Sequence, residues 1–191
     1  MNDTMIAHIP GEYEKIKEAT SGLNFTMASD LHTGSLLKTL AASKPSGRFL
    51  ELGTGTGLAT AWILSGLDIE SSLVTIENNE VLIDVAKKYI NDDRVEFLLA
   101  DAYEWLKRYS GEKFDFIFAD AMPGKYDLFD ETITILNKGG IYIIDDMLAQ
   151  PNWPEGHDDK VKGFIQRLEV RTDLLITKLN WSTGIIIVVK K

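Results

Sequence analysis

The stretch Glu51-Leu52-Gly53-Thr54-Gly55-Thr56-Gly57 decides the fold. It joins a short apolar run, residues 49–52, to a segment with helical spacing, residues 58–67. Glycines between a buried strand and a helix permit a tight turn and let a ligand approach the backbone at the helix N-terminus. The stretch therefore predicts a strand–turn–helix unit that binds a ligand, with a purely structural turn as the alternative.

The glycine spacing also bears on which ligand is bound. A dinucleotide fingerprint would place its third glycine at position 58, where this chain has Leu58, so NAD is disfavoured. Glu51, one turn before the glycines, is better explained by a ligand with positive charge, such as the sulfonium and ammonium groups of S-adenosylmethionine. Glu77 follows the next apolar run, twenty residues after Gly57, where a carboxylate can accept both ribose hydroxyls. The pattern favours S-adenosylmethionine as the cofactor.

Short apolar runs and helical segments alternate along the chain, which is typical of a parallel sheet covered by helices. The predicted strands are residues 49–52, 73–76, 95–99, 114–118 and 141–144, and the predicted helices between them are residues 58–67, 80–90, 103–109 and 126–137. Two final runs, residues 174–179 and 184–189, predict an antiparallel hairpin. We therefore expect an α/β fold: a doubly wound, Rossmann-like, mostly parallel sheet with helices on both faces. Residues 1–191 form one predicted domain, and helices at 12–19 and 34–42 lie in an N-terminal cap segment, residues 1–47.

Composition limits the classes of partner. The chain has 20 Lys and Arg against 29 Asp and Glu, a net charge of −9, and it has no cysteine. Nucleic acid is thus an unlikely main partner, because phosphate binding depends on Lys and Arg. Thiolate metal sites and cysteine nucleophiles are excluded. Since no apolar run approaches a membrane span and residues 1–10 lack a signal-peptide pattern, we expect a cytoplasmic protein without membrane contact.

Acidic residues follow the later predicted strands. Asp101-Ala102 stands after the third strand, where it would contact an adenine ring or cap the next helix. Asp120 and the pair Asp145-Asp146 follow the fourth and fifth strands, whose carboxyl ends share one edge of the sheet. Three converging carboxylates would hold a hard cation, Mg²⁺ first. The alternative is that one or two of them only cap turns.

These residues together resemble the cation-dependent O-methyltransferases, the class I S-adenosylmethionine-dependent family that includes the catechol and caffeoyl-CoA enzymes. The resemblance runs from Met27 and Thr33-Gly34-Ser35-Leu36-Leu37, through the glycine stretch, to Asp145-Asp146. It implies that Asp120, Asp145 and Asp146 hold the metal ion, that Met27 and Asp120 contact the cofactor, that Asp120 takes part in catalysis, and that the chain can form a homodimer.

Three departures from the family pattern concern the acidic end of the site. The metal pair is Asp-Asp instead of Asp-Asn, and Ser182-Thr183-Gly184 replaces a Gly-Asp-Gly. Pro123 stands where the family has its catalytic lysine. Lys125 is the candidate replacement for that lysine, although a solvated position at the start of the 126–137 helix is the expectation for its side chain.

The sequence thus predicts an S-adenosylmethionine-dependent O-methyltransferase acting on a small aromatic or diol-like acceptor, with a divalent metal assisting. The alternatives are a metal-independent methyltransferase, acting on a small molecule or RNA, and a non-catalytic S-adenosylmethionine-binding protein. The acceptor wall is expected in two loops, residues 26–33 and 148–159.

Overall fold

The fold is given by a computed structural model, which describes residues 5–150 and 153–191. In this part of the chain, seven strands form one sheet. The strands are β1 (Arg48–Leu52), β2 (Ser72–Glu77), β3 (Val95–Leu99), β4 (Phe114–Ala119), β5 (Leu136–Ile144), β6 (Leu174–Leu179) and β7 (Ile185–Lys190). The helices are α1 (Tyr13–Gly22), α2 (Leu31–Ala41), α3 (Leu58–Gly66), α4 (Glu80–Tyr89), α5 (Ala102–Arg108), α6 (Met122–Lys125), α7 (Phe129–Thr134) and α8 (His157–Glu169).

The strand order is β3-β2-β1-β4-β5-β7-β6. The first five strands in this order are parallel, and β7 pairs antiparallel with both β5 and β6. This confirms the predicted doubly wound sheet with its C-terminal hairpin. The chain runs outward from β1 to β3 and then returns to β4, so the order reverses between β1 and β4. In such sheets a ligand binds outside the carboxyl ends of the strands at that reversal.

Apolar side chains cover both faces of the sheet. Phe49 and Phe116 belong to a core cluster that includes residues of α1, α2, α3 and α4. Leu50 and Ile117, one position further along the same strands, belong to a second cluster with residues of α5, α7 and α8. Because successive side chains of a strand point to opposite faces, a strand between two helical layers is apolar throughout. This explains why the central strands read as unbroken apolar runs.

Several element boundaries differ from the prediction, including the end of α1 at Gly22 instead of residue 19 and the start of α2 at Leu31 instead of residue 34. The helix expected at residues 126–137 is shorter: α7 covers only Phe129–Thr134, because Leu128, just before it, has a left-handed backbone (φ 58°). The short irregular turn α6 precedes it. The strand predicted to start at residue 141 begins at Leu136, which pairs with Phe114. Helix α2 begins at Leu31 because the Asp30 carboxylate caps it, accepting the backbone N–H groups of His32 and Thr33.

Two of the expectations fall partly outside the described residues. These are the first four positions of the 1–47 cap segment and positions 151–152 of the 148–159 loop. None of the helices in the described part of the chain is long and apolar enough to cross a membrane.

The packing of α2 on α3 depends on one glycine. A Cβ atom added at Gly34 would lie 2.2 Å from Cδ1 of Trp62, whose side chain is fully buried. We expect Gly34→Ala to lower the free energy of unfolding by about 1–3 kcal/mol, because the indole has no free space to move into. Thermal unfolding of the purified variant measures this.

Gly163 in α8 provides the matched control, since a Cβ atom there would meet nothing within 4 Å. Alanine has the higher helix propensity by about 1 kcal/mol, so Gly163→Ala should raise the melting temperature. The two substitutions are chemically identical and should act in opposite directions. A Gly34→Ala protein as stable as the wild type would contradict the packing argument.

Candidate functional site

A cavity of about 650 Å³ opens at the carboxyl ends of β1, β2 and β4, at the reversal of strand order. The glycine turn and the end of β2 form its floor, and residues 23–29, between α1 and α2, form its roof. Most of the predicted site residues line it: Met27, Gly53, Gly55, Glu77, Asp101, Ala102, Asp120 and Asp146. The structure therefore brings together in one cavity residues that are far apart in the sequence.

The glycine turn forms a cradle that side chains would fill. Gly53 and Gly55 have positive φ angles of 99° and 53°, which L-residues with side chains rarely adopt. A Cβ atom at Gly53 would lie 3.0 Å from the carbonyl oxygen of Asp120, and one at Gly55 would lie 3.3 Å from the Phe25 ring. The backbone can therefore closely approach a ligand in the cavity.

Gly57 has a different role from the other two glycines. It precedes α3 in a left-handed conformation, and a Cβ atom there would lie 2.8 Å from Cβ of Ala86 in α4. It is not among the residues that line the cavity. The structure therefore places Gly57 at a close helix contact, where it lets α3 and α4 pack together.

The Glu77 carboxylate connects the glycine turn to the end of β2. Its Oε2 accepts the N–H of Gly55 at 2.8 Å, and its Oε1 accepts the N–H groups of Asn78 and Asn79 at 3.0 Å. Glu77 also lines the cavity. An ionised carboxylate held by three backbone donors in this way has a fixed orientation, and its free lone pairs can accept further hydroxyl groups.

Asp101 caps a helix and also lies on the cavity wall. Its side chain accepts the N–H of Tyr103 at 2.8 Å and so caps α5. It also lines the cavity beside Ala102. A carboxylate can do both because it has two oxygens with about four acceptor positions.

Glu51 lies outside the cavity wall. Its side chain is fully buried, and its Oε2 accepts the hydroxyl groups of Thr60 at 2.6 Å and Thr75 at 2.5 Å. Because Thr75 donates its hydrogen to Glu51, the 2.6 Å contact between Thr54 and Thr75 must have Thr54 as the donor. Glu51 thereby connects β1, β2 and α3 beneath the turn. Its other oxygen, Oε1, has no hydrogen-bond partner among the described residues.

This enclosure changes the acidity of Glu51. Burial raises its pKa from 4.5 to about 7, against the opposing effect of the two threonine hydroxyls, and the charge of Glu77 raises it further. The folded state thus binds the proton more tightly than the unfolded state. The stability that the neutral acid provides is complete below about pH 4.5 and is lost as the pH rises through about 7.

Glu51→Gln should remove this pH dependence, because the amide stays neutral and keeps an oxygen for the threonine hydroxyls. We compare the free energy of unfolding of the variant with that of wild type at each pH. Between pH 5 and pH 8 this difference should shift in favour of the variant by about 2–3 kcal/mol. Urea unfolding at the two pH values measures it. An equal difference at both values would show that Glu51 is ionised throughout.

The three predicted metal ligands follow β4 and β5 and form the acidic end of the site. The sheet continues past β4, since the N–H of Asp120 donates to Leu52 and that of Asp145 donates to Ala119. Oδ2 of Asp120 accepts the hydroxyl of Ser29 at 3.3 Å, and Oδ1 of Asp145 accepts the hydroxyl of Thr183 at 2.5 Å. Asp120 and Asp146 line the cavity, whereas Asp145 is 3% exposed and lies behind them.

Burial and mutual repulsion dominate the electrostatics of these aspartates. Burial, followed by the charge of Asp145, raises the pKa of Asp120 well above its usual range. Burial likewise raises the pKa of Asp145 to about 6, although the Thr183 hydroxyl lowers it. The ammonium of Lys125 lowers the pKa of both carboxyls. Burial is therefore the main reason why Asp120 and Asp145 hold a proton more tightly than an exposed aspartate.

The expectation that Lys125 is solvated was wrong, because its side chain is only 4% exposed. Gly124 has a left-handed backbone (φ 83°), and a Cβ atom there would lie 2.4 Å from Leu52. The hydroxyl of Tyr142 donates to the carbonyl of Gly124. The turn therefore packs against the core, and the adjacent Lys125 side chain is buried as a result.

The donor set does not match the predicted divalent cation. Within residues 5–150 and 153–191, no three His, Cys, Asp or Glu side chains are arranged to hold an ion together. Oδ1 of Asp145 already accepts the Thr183 hydroxyl and the N–H of Asp146. In the described residues, Asp120, Asp145 and Asp146 are therefore not arranged as the predicted ligand set.

Sequence reasoning missed several residues of the site. Phe25 and Ser29 reach the cavity from the roof, and Thr183 reaches Asp145 from the turn between β6 and β7. The roof was expected to contribute to the acceptor wall, but no motif marks which of its residues point inward. Thr183 belongs to the departure from Gly-Asp-Gly, which was the available signal that this turn contacts the acidic end.

The family assignment follows from comparison with known proteins. The family model described as O-methyltransferase matches residues 12–189. The chain belongs to this O-methyltransferase family. The match confirms the family resemblance, and it extends from the first turn before α1 to the end of β7.

Individual relatives agree with this assignment. A protein from Mycobacterium ulcerans (strain Agy99), whose name likewise refers to an O-methyltransferase, is 31% identical over 117 residues, covering 58% of this chain and 52% of the relative. The chain thus spans about half the length of the curated relatives it matches. A corresponding protein from Mycobacterium avium (strain 104) is 30% identical over 117 residues, covering 58% of this chain and 53% of the relative.

Solved structures share the whole fold. The O-methyltransferase TomG from Streptomyces achromogenes, involved in tomaymycin synthesis and solved with S-adenosylmethionine, has a TM-score of 0.83 at 22% identity, covering 98% of this chain and 93% of TomG. The O-methyltransferase from Bacillus cereus, solved with S-adenosylhomocysteine, has a TM-score of 0.82 at 22% identity. The match covers 98% of this chain and 94% of the Bacillus cereus protein. At this identity the likeness establishes the fold.

Proposed function

We propose that the protein is an S-adenosylmethionine-dependent methyltransferase that methylates a hydroxyl oxygen of a small molecule. One observation carries the proposal. A single cavity is lined by the glycine cradle, by the fixed Glu77 carboxylate and by two of the aspartates that follow β4 and β5, Asp120 and Asp146. Membership of the O-methyltransferase family supports the reaction type.

The cradle end suits the nucleoside part of S-adenosylmethionine. Gly53 and Gly55 leave room for close approach, Glu77 offers acceptors for two ribose hydroxyls, and Asp101 with Ala102 marks the adenine position. The cavity volume of about 650 Å³ is in the usual range for such ligands. Glu51 contributes indirectly, since it fixes the threonines beneath the turn.

The aspartate end suits activation of a hydroxyl group. S-adenosylmethionine supplies a methyl group, and its S–C bond breaks toward sulfur as the acceptor oxygen bonds to the methyl carbon. The chain has to orient the acceptor and take its proton. Asp120 lines the cavity, and its raised pKa makes its carboxylate a better proton acceptor near neutral pH. We assign Asp120 as the general base.

The roof favours a small, partly apolar acceptor. Leu23, Phe25 and Met27 line the cavity from above, and the Met27 side chain is 67% exposed. A planar aromatic or diol-like molecule would place its ring under these side chains and its hydroxyl toward Asp120. RNA suits this end poorly, because the aspartates would repel phosphates.

Divalent-metal assistance is the second candidate. The observation that favours it is the concentration of Asp120, Asp145 and Asp146 within electrostatic reach of one another. If an ion binds there, these side chains would have to rearrange to hold it, and the ion would acidify the acceptor hydroxyl that it contacts. The chelator arm of the experiment below separates the two routes.

The experiment is an acceptor panel of phenols, catechols and aliphatic diols, with S-adenosylhomocysteine formation followed by mass spectrometry. Each reaction is run with Mg²⁺ and with EDTA, and calorimetry measures binding of S-adenosylhomocysteine and of NAD. The proposal predicts micromolar binding of S-adenosylhomocysteine, no binding of NAD, and turnover of at least one hydroxyl acceptor. Binding without turnover of any acceptor would favour the non-catalytic alternative, and NAD binding alone would overturn the cofactor assignment.

A further inference from the structure

A pair of buried threonine hydroxyls joins the end of α1 to the glycine turn. Thr20 and Thr56 are 5% and 1% exposed, and their Oγ1 atoms lie 2.7 Å apart. The hydroxyl of Thr20 donates to the carbonyl of Ile16 at 2.7 Å, so Thr56 is the donor in the contact between the two threonines. The last turn of α1 is therefore attached to the segment that forms the cradle.

Thr20 also holds the beginning of the roof, residues 23–29. Its carbonyl accepts the N–H of Leu23 at 3.1 Å and the N–H of Phe25 at 3.3 Å. The Phe25 ring lies over Gly55, close enough to contact a Cβ atom added there. One residue thus connects the roof, through its backbone, with the glycine turn, through its side chain.

We propose that Thr20 is a positioning residue for the cofactor, which acts through Thr56 by holding the beginning of the roof against the glycine turn. The inference rests on the proposed function, since it concerns the same cavity. Thr56 lines the cavity, whereas Thr20 does not and so acts on the cofactor only through its neighbours. Without the contact between the two hydroxyls, a bound cofactor should leave the cavity faster.

The roof buries little apolar surface that could hold it in place. The side chains of Leu23 and Met27 are 40% and 67% exposed. The far end of the roof is fixed separately, because the hydroxyl of Ser29 donates to Asp120 at 3.3 Å. A segment with little buried surface opens locally at a low cost in free energy. A buried hydrogen bond at its beginning therefore changes how often that part of the roof opens.

The two threonines of the glycine turn are anchored in different directions. Thr54 donates to Thr75, which in turn donates to Glu51, so this side of the turn is fixed to the sheet. Thr56 is fixed to α1 instead. The alternation of glycine and threonine in residues 53–57 therefore combines a backbone that a ligand can approach with hydroxyls that fix the turn on two sides.

The test compares the rates at which S-adenosylhomocysteine dissociates from wild type, Thr20→Val, Thr56→Val and the double variant, measured by surface plasmon resonance. Valine keeps the shape of threonine but lacks the hydroxyl. Each single variant should release the ligand about 3- to 10-fold faster than wild type, as expected for the loss of one hydrogen bond. The double variant should be no faster than the faster single variant, because both substitutions remove the same contact.

Two controls separate positioning from folding. Thr20→Ser keeps the hydroxyl and should restore release close to the wild-type rate. Thr39→Val removes an exposed hydroxyl of α2 that likewise donates to the carbonyl four residues earlier, that of Ser35, at 3.0 Å, and it should behave as wild type. A purely structural role would lower the melting temperature of both valine variants at an unchanged release rate. That result, or additive effects of the two substitutions on the release rate, would overturn the proposal.

Hydrogen exchange of the ligand-free protein decides whether Thr56 holds the roof even if S-adenosylhomocysteine does not bind. The amides of residues 23–29 should exchange at least about threefold faster in Thr56→Val than in wild type, whereas those of α8 should be unchanged. Unchanged exchange in the roof would contradict the inference. Absence of S-adenosylhomocysteine binding to wild type would instead contradict the proposed function, so the two failures are distinguishable.

Discussion

Glu77→Ala is expected to weaken S-adenosylhomocysteine binding by about 10- to 150-fold. Loss of hydrogen bonds to a charged group costs about 1.5–3 kcal/mol, and each 1.4 kcal/mol is a factor of about ten. The variant also loses the acceptor that fixes the Gly55 N–H at 2.8 Å, so the glycine turn is no longer tied to the end of β2. Isothermal titration calorimetry measures the change.

Glu80→Ala is the matched control, because Glu80 lies three residues away in the exposed first turn of α4 and does not line the cavity. Its affinity should stay within about twofold of wild type. Glu77→Gln should fall between the two, since the amide retains one acceptor oxygen and loses the charge. Equal affinity of Glu77→Ala and wild type would remove Glu77 from the cofactor site.

The sheet and the cofactor end of the site could be predicted because their signals are local. The glycine turn occupies seven consecutive residues, and the apolar runs around it have the length and composition of buried strands. Parallel strands bring their carboxyl ends to one edge. Once the strands were placed, the positions of Glu77, Asp101 and Asp120 followed from topology.

The acidic end could not be predicted because it depends on backbone conformations that composition does not specify. Leu128 has a positive φ, which no sequence rule assigns to leucine, and α7 begins only after it, at Phe129, instead of at residue 126. The burial of Lys125 follows from the Gly124 turn packing on Leu52 and Tyr142, two residues far away in the chain. Long-range packing of this kind leaves no local periodicity.

Glu51 differs from Lys125, because its position before the glycine turn was recognised in the sequence but its role was interpreted wrongly. An acid before a glycine turn suggested direct attraction of a cationic ligand. The structure instead encloses its carboxyl among the hydroxyls of Thr60 and Thr75. Threonines at those two positions were visible in the sequence, but only the pairing of β1 with β2 and the packing of α3 bring them to the carboxyl.

Asp120→Asn is expected to lower the turnover number by about 100-fold or more while S-adenosylhomocysteine affinity stays within a few-fold. The amide preserves the shape of the side chain but cannot take the acceptor's proton, and a positioned general base contributes about 10²–10⁴-fold. Steady-state kinetics with an acceptor from the panel, together with calorimetry, separates the two quantities. Asp127→Asn, an exposed change outside the cavity, should leave both unchanged.

Loss of activity in Asp120→Asn cannot be attributed to unfolding if the electrostatic argument holds. Burial and the charge of Asp145 make the ionised Asp120 costly in the folded state, so a neutral amide should leave the melting temperature unchanged or raise it. A stable, cofactor-binding and inactive variant would establish Asp120 as the base. Parallel loss of cofactor affinity would place its carboxylate in the cofactor subsite instead. Near-normal turnover would require another proton acceptor, for which Asp146, the other aspartate of the acidic end on the cavity wall, is the candidate.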